Sequence, residues 1–246
     1  MELISDQGLR VDGRRTKELR KVHCKLGIYG HADGSAFLQQ GNTKVIATVY
    51  GPHEPRQVFK SRVPHDSALV VCDYSLSAFS SGDRRKRLHS DRKTTDLTIN
   101  LQKALTSAIK TELYPRTQID IIVQVLEADG GNFATSINAA TLALVNSGIA
   151  MKEYVVCCTA SLGNGNVPML DITHLEETLG GSTLTVAMMP HSKQIALLDL
   201  SDRFHVDYLE DVMSLAQKGC DEIYKILDNE VRLHMIETGS ASNWGR

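Results

Sequence analysis

The stretch from Gln118 to Gly148 constrains this chain more than any other. Gln118–Leu126 is dense in Ile and Val, Gly130-Gly131 makes a turn, and Ala134–Ser147 carries Ala, Ile and Leu at helical spacing up to Gly148. A run so dense in Ile and Val predicts a central strand, flanked by other strands. Small side chains at Ala134, Ala139 and Ala140 let the following helix lie close to a sheet, and Gly148 suits the C-terminal cap. A helix packed on a multi-stranded sheet is therefore expected.

The rest of the chain supplies the neighbours. Val22–Tyr29, Ser35–Gln39 and Thr43–Tyr50 read as strands, the last closed by Gly51-Pro52, and Ala68–Phe79 as another. From Asp91 the period becomes helical through Leu97, Ile99, Leu101, Leu105 and Ile109 to about Leu113, with Ser90 as N-cap and Tyr114-Pro115 as the stop. Strands follow at Tyr154–Leu162, Val167–Ile172, Ser182–Met189 and Gln194–Leu200, and then one long amphipathic helix over Val206–Glu237, with Gly239–Arg246 as a loose tail. The predicted class is α+β, a single domain over residues 1–246 with pseudo-duplicated halves of about 1–150 and 151–246.

Composition narrows the function. A net charge of −2 gives no overall pull toward nucleic acid, so any such contact must come from local clustering. Five cysteines without ligand spacing suggest neither a disulfide framework nor a zinc site, and a reducing compartment is expected. The polar start, MELISDQGLRVDGRR, and the lack of any membrane-length apolar run predict a soluble chain with no membrane partner.

Three segments could carry chemistry. Glu127–Ser136, EADGGNFATS, opens a helix with free backbone N–H groups, which suits an anion. The same glycines serve a tight strand-to-helix turn equally well. Asp171 and Glu177 are six apart, a spacing that could bring two carboxylates around Mg²⁺, while Thr173 with Glu176 fits a capping box. Arg84, Arg85, Lys86, Arg87, Arg92 and Lys93 put six cations within ten residues ahead of a helix. The helix dipole disfavours cations there, so an external anion such as an RNA backbone explains them better than local stability does. A solvated run or a nuclear localisation signal over Arg84–Arg87 is the other reading.

Arg10-Val11-Asp12-Gly13-Arg14-Arg15, Asp33-Gly34-Ser35-Ala36, Gly41-Asn42-Thr43-Lys44, Tyr50-Gly51-Pro52, Tyr114-Pro115-Arg116 and Ala128-Asp129-Gly130-Gly131 follow one another in the order in which RNase PH-type proteins carry similar segments. Within that family, Leu19-Arg20-Lys21, Gly51-Pro52-His53-Glu54-Pro55-Arg56 and Leu175-Glu176-Glu177 are similar to ring subunits of the eukaryotic RNA exosome. The resemblance covers nearly the whole chain. It implies an RNase PH-like, duplicated fold of the ribosomal protein S5 domain 2 type and assembly with other RNase PH-like subunits into a six-membered ring. It further implies S1/KH-type cap subunits, an associated hydrolytic 3′–5′ exoribonuclease, single-stranded RNA in a central channel, no cofactor, and residence in nucleus, nucleolus and cytoplasm.

Active members of the family bind the attacking phosphate with a Gly-Ser/Thr-Arg turn and hold Mg²⁺ with paired aspartates. This chain reads Gly131-Asn132-Phe133 at the turn and Glu177 at the second acid, so Asp171 and Glu177 are expected to be vestigial and the phosphate site degenerate. Losing the arginine removes charge-assisted hydrogen bonds worth about 1.5–3 kcal/mol each. The resemblance places Arg92 and Lys93 where active members face RNA, and Lys60 and Arg62 in the loop at the channel entrance. The expected role is a non-catalytic subunit that guides RNA. The alternative is an active Mg²⁺-dependent phosphorolytic 3′–5′ exoribonuclease.

Overall fold

The computed structural model describes residues 3–5, 7–57, 59–60, 63–82, 91–163, 167–180, 182–203 and 205–241. The anticipated strand is β5 (Gln118–Glu127), and Ile119, Ile121, Val123 and Val125 are all fully buried. It lies inside a five-stranded sheet with β1 (Val22–Leu26), β2 (Gly34–Gln40), β3 (Thr43–His53) and β4 (Leu69–Leu76), in the order β1-β2-β3-β5-β4. β1, β2 and β3 run antiparallel as a meander, β3 pairs antiparallel with β5, and only β4 runs parallel to β5. A parallel pair needs a crossover, and α1 (Arg92–Ala108) provides it.

The helix after β5 is α2 (Asn132–Asn146), which begins two residues earlier than its apolar spacing suggests, because Asn132 and Phe133 already belong to its first turn. Every residue from Phe133 to Leu144 is buried. One face packs on β2, β3 and β5, and other side chains reach the second sheet, built from β6 (Val156–Leu162), β7 (Pro168–Leu170), β8 (Thr183–Met189) and β9 (Gln194–Ser201) in the order β7-β6-β8-β9. Two polar side chains on α2 stitch it to that sheet. Asn138 reads both backbone groups of Cys157, donating at 2.9 Å and accepting at 2.8 Å, and Thr141 donates to the Val155 carbonyl at 2.8 Å. Buried polar groups of this kind are stable only when so paired.

A short helix, α3 (His174–Gly180), joins β7 to β8, and α4 (Val206–Ala241) closes the chain, packing on β6, β7 and β8 and touching β1. Among the described residues no helix is long and apolar enough to cross a membrane.

Some boundaries differ from expectation. The first helix was predicted to reach Leu113 but ends at Ala108. Ile109 turns extended, Lys110 N–H bonds the Ala150 carbonyl, and only a 3-10 turn covers Thr111–Leu113. Its N-cap is Asp91, and Ser90 lies outside the described residues. β3 runs through Gly51-Pro52 to His53 with a register shift after Tyr50, so the dipeptide bends the strand without ending it. α4 continues to Ala241, which shortens the expected tail.

Candidate RNA-facing site and the junction behind it

The glycine turn is held from behind by an arginine of the N-terminal arm. Arg20, 7% exposed, donates from its backbone N–H and Nε to the Asp171 carboxylate at 2.8 and 3.1 Å, and from Nη2 to the same carboxylate at 2.7 Å. Its remaining donors go to Thr43 Oγ1 at 3.2 Å and to the carbonyls of Asp129 and Gly130 at 2.8 and 3.1 Å. All five guanidinium hydrogens are used. Arg20 therefore ties the turn in the first half to the segment after β7 in the second.

Asp171, a candidate metal ligand by spacing, is 1% exposed and adopts φ 53°, which swings its side chain into this junction. Burial pushes its carboxyl upward, but the charge and hydrogen bonds of Arg20 outweigh that and hold it below the usual carboxylate range. Arg14 adds a contact at 3.7 Å and donates to the Asp171 carbonyl at 3.0 Å. A carboxylate with these partners has no free edge for Mg²⁺. Glu177 lies exposed on α3, its N–H bonded to the Thr173 carbonyl at 2.9 Å. Among the described residues no group of three or more His, Cys, Asp or Glu converges as a metal would require.

The Glu176 half of the capping box forms: its carboxylate accepts from Thr173 N–H at 2.8 Å and from the Thr173 hydroxyl at 3.1 Å. Glu176 is also wholly buried against Arg10, which in addition donates to the Leu170 and Asp171 carbonyls at 2.5 and 3.0 Å. Burial raises the Glu176 carboxyl, and hydrogen bonds from Arg10 and Thr173 bring it down below its ordinary value. Arg10, Arg14 and Arg20 thus clamp residues 170–176. The spacing of Asp171 and Glu177 gave no sign of this clamp; the signal present in the sequence was four arginines in a polar arm, Arg10, Arg14, Arg15 and Arg20.

Gly130 and Gly131 have left-handed φ of 81° and 61°. A Cβ on Gly130 would sit 2.5 Å from the Thr173 carbonyl carbon, so the turn is glycine because the second half lies directly against it. Phe133 is 8% exposed and meets Tyr74 edge-to-face, with centroids 6.3 Å apart at 82°. Its ring belongs to the core. Asn132 Oδ1 and Thr159 Oγ1 are buried beside the turn with no hydrogen-bond partner among the described residues.

In front of the turn lies an open cleft of about 610 Å³ bordered by Asn42, Lys44, Phe79, Ser80, Glu127 and Asp129. Asn42 bonds Asp129 at 3.0 Å, Lys44 pairs with Glu127 at 2.7 Å, and the Phe79 ring is 72% exposed. Gly82 also lines the cleft, and the basic run leaves from there. Arg84, Arg85, Lys86 and Arg87 fall outside the described residues, as does Arg62. Arg92 and Lys93 are exposed at the start of α1, so two cations stand at the positive end of the helix dipole, offset only by the charge of the N-cap Asp91. Lys60 is exposed on the loop between β3 and β4, apart from them in sequence.

Comparison with known proteins agrees with this architecture. Residues 18–150 match the 3′ exoribonuclease family, domain 1, and residues 153–219 match domain 2 of the same family. The exosome complex component RRP41 of Bos taurus is 48% identical over 237 residues, spanning 96% of each chain. Rice Rrp46 superposes with a TM-score of 0.79 at 22% identity, covering 90% of this chain and all of that one. An Archaeoglobus fulgidus exosome with RNA bound to the active site gives a TM-score of 0.77 at 19% identity, covering 89% and 92%.

Proposed function

The chain belongs to the RNase PH-type 3′ exoribonuclease family, and from that premise we propose that it is a non-catalytic ring subunit of the RNA exosome. It assembles with other RNase PH-like subunits beneath S1/KH-type cap subunits and helps guide single-stranded RNA through a central channel to an associated hydrolytic 3′–5′ exoribonuclease. The assembly acts in RNA processing and degradation in nucleus, nucleolus and cytoplasm.

The observation that carries the absence of catalysis is Phe133. The turn that in active relatives offers an arginine to phosphate here sends an aromatic ring into the core against Tyr74. Arg20, the cation nearest the turn, has every donor engaged and none left for a ligand. What remains on the accessible side is a cationic helix start, at Arg92 and Lys93, suited to a phosphodiester backbone that is held without being read or cut.

The test is phosphate-dependent release of nucleoside diphosphates from single-stranded RNA, measured on the purified protein alone and in the assembled ring with Mg²⁺ present. Release at background level is expected. Robust activity that disappears in Glu177→Ala, a change at an exposed position, would establish the phosphorolytic alternative instead.

A further inference from the structure

The loop over residues 54–68 leaves β3 at His53 and returns at Leu69, carrying the exposed Lys60. Among the described residues of this segment none belongs to a strand. Its first turn is instead fastened to the central strand. Asp120 on β5 is 5% exposed, and its carboxylate accepts from Gln118 Nε2 at 2.5 Å and from Arg56 Nη2 at 2.9 Å. His53 Nε2 stands 3.7 Å from the same carboxylate. Gln118 completes the clasp by accepting the Arg56 backbone N–H at 3.2 Å. One more turn follows directly, with Phe59 N–H bonded to the Arg56 carbonyl at 2.8 Å. The Arg56 side chain is 66% exposed, so the contact lies where rigid sheet passes into solvent-facing loop.

An aspartate in the middle of a buried apolar strand is costly unless it is paired and hydrogen-bonded. Its partners here all belong to, or brace, the root of this one loop. Asp120 faces Tyr50 across β3 and Val71 across β4, neither of which is an ionic partner. Among the described residues its ionic partners are His53 and Arg56.

We propose that Asp120 is a positioning residue for RNA: through Arg56 it sets the course of the loop that presents Lys60 to the strand passing through the ring. The inference rests on the RNA-guiding role given above. An apparent affinity falls in proportion to the fraction of molecules holding the binding-ready arrangement, so freeing the loop root weakens RNA binding with no phosphate contact removed.

Replacing Asp120 with Asn separates this from simple electrostatics. Asp120→Asn removes one negative charge beside the path assigned to RNA, and charge alone then demands tighter binding. Positioning demands the opposite. The measurement is the affinity of the assembled ring for a fluorescent single-stranded RNA, with thermal melting of the same samples. Asp120→Asn is expected to weaken binding about fivefold, at the upper end of what an ion pair with an exposed partner is worth. Arg56→Gln, on an exposed side chain that cannot disturb the core, is expected to weaken it comparably, and the double variant no further than Arg56→Gln alone. Unchanged or tighter binding in Asp120→Asn while Lys60→Glu weakens it overturns the positioning role and leaves the RNA-guiding role standing. If Lys60→Glu also changes nothing, the loop does not face RNA and the inference falls with that part of the reading.

Discussion

Arg20 and Asp171, 151 residues apart in the chain, meet in a buried pair in which each of the five guanidinium hydrogens has an acceptor. The pair joins the two halves of the fold at the back of the glycine turn, and it has consequences for stability and for pH.

Removing either partner leaves a buried charge unpaired. Arg20→Ala or Asp171→Ala should each cost about 3–5 kcal/mol in urea unfolding. The pH dependence follows from the sign of the shift. The Asp171 carboxyl is held below its ordinary value of 3.8, so its contribution is complete above that value and is lost as pH falls through the lower folded-state value. Glu176 and Asp12 are also held low, by Arg10 and Arg14 among others, and act in the same direction. Acid unfolding should therefore steepen below the ordinary carboxylate range, and Asp171→Asn should flatten that limb.

The glycine turn should be intolerant in a graded way. Gly130→Ala drives a Cβ into the backbone at Thr173 and His174, 2.5 and 2.6 Å away, and should cost at least about 3 kcal/mol. Gly131→Ala meets the Arg20 guanidinium at 3.1 Å and Thr159 Oγ1 at 3.2 Å, milder contacts with side chains and not backbone, and should cost about 1–2 kcal/mol, chiefly from its left-handed backbone. Thermal melting of the two variants checks the order.

Restoring the family's cation should not restore its chemistry. Phe133→Arg places a charge among Tyr74 and the buried face of α2, and should destabilise the protein by about 3 kcal/mol or more without producing phosphate-dependent release of nucleoside diphosphates. Melting and the phosphorolysis assay on one preparation decide it.

The exposed start of α1 should be visible in the salt dependence of binding. Arg92→Glu and Lys93→Glu should each weaken single-stranded RNA binding by the ring and lower the slope of log affinity against log salt by about 1, with little dependence on sequence. Both sites are exposed, so the melting temperature should stay nearly unchanged.

The strand β5 and the helix α2 were legible because each is written in a contiguous run: Ile and Val at Gln118–Glu127, and small apolar side chains from Ala134 onward. The capping box at Thr173 and Glu176 was legible for the same reason, since its partners are three residues apart. What Arg10, Arg14 and Arg20 do was not, because their partners lie more than 150 residues away and no local period marks them. The six-residue spacing of Asp171 and Glu177 suggested a shared site, but spacing does not fix direction. A left-handed residue at 171 turns one carboxylate inward, and α3 carries the other to solvent. α1 ended early for a related reason: Lys110 and Ile109 are claimed by Ala150 and Met151, a tertiary demand that outweighs helical propensity.

The clamp of the N-terminal arm on residues 170–176 also orders events during synthesis. Arg10, Arg14 and Arg20 leave the ribosome first, yet their acceptors around Asp171 follow some 150 residues later. At roughly 5–20 residues per second, that is a wait on the order of ten to thirty seconds. Once Glu127 has been made, the five-stranded sheet is complete in sequence while its glycine turn has no second half to lean on until Asp171 follows. The arm sets shut only after Glu176 has been made, with β8, β9 and α4 still to follow.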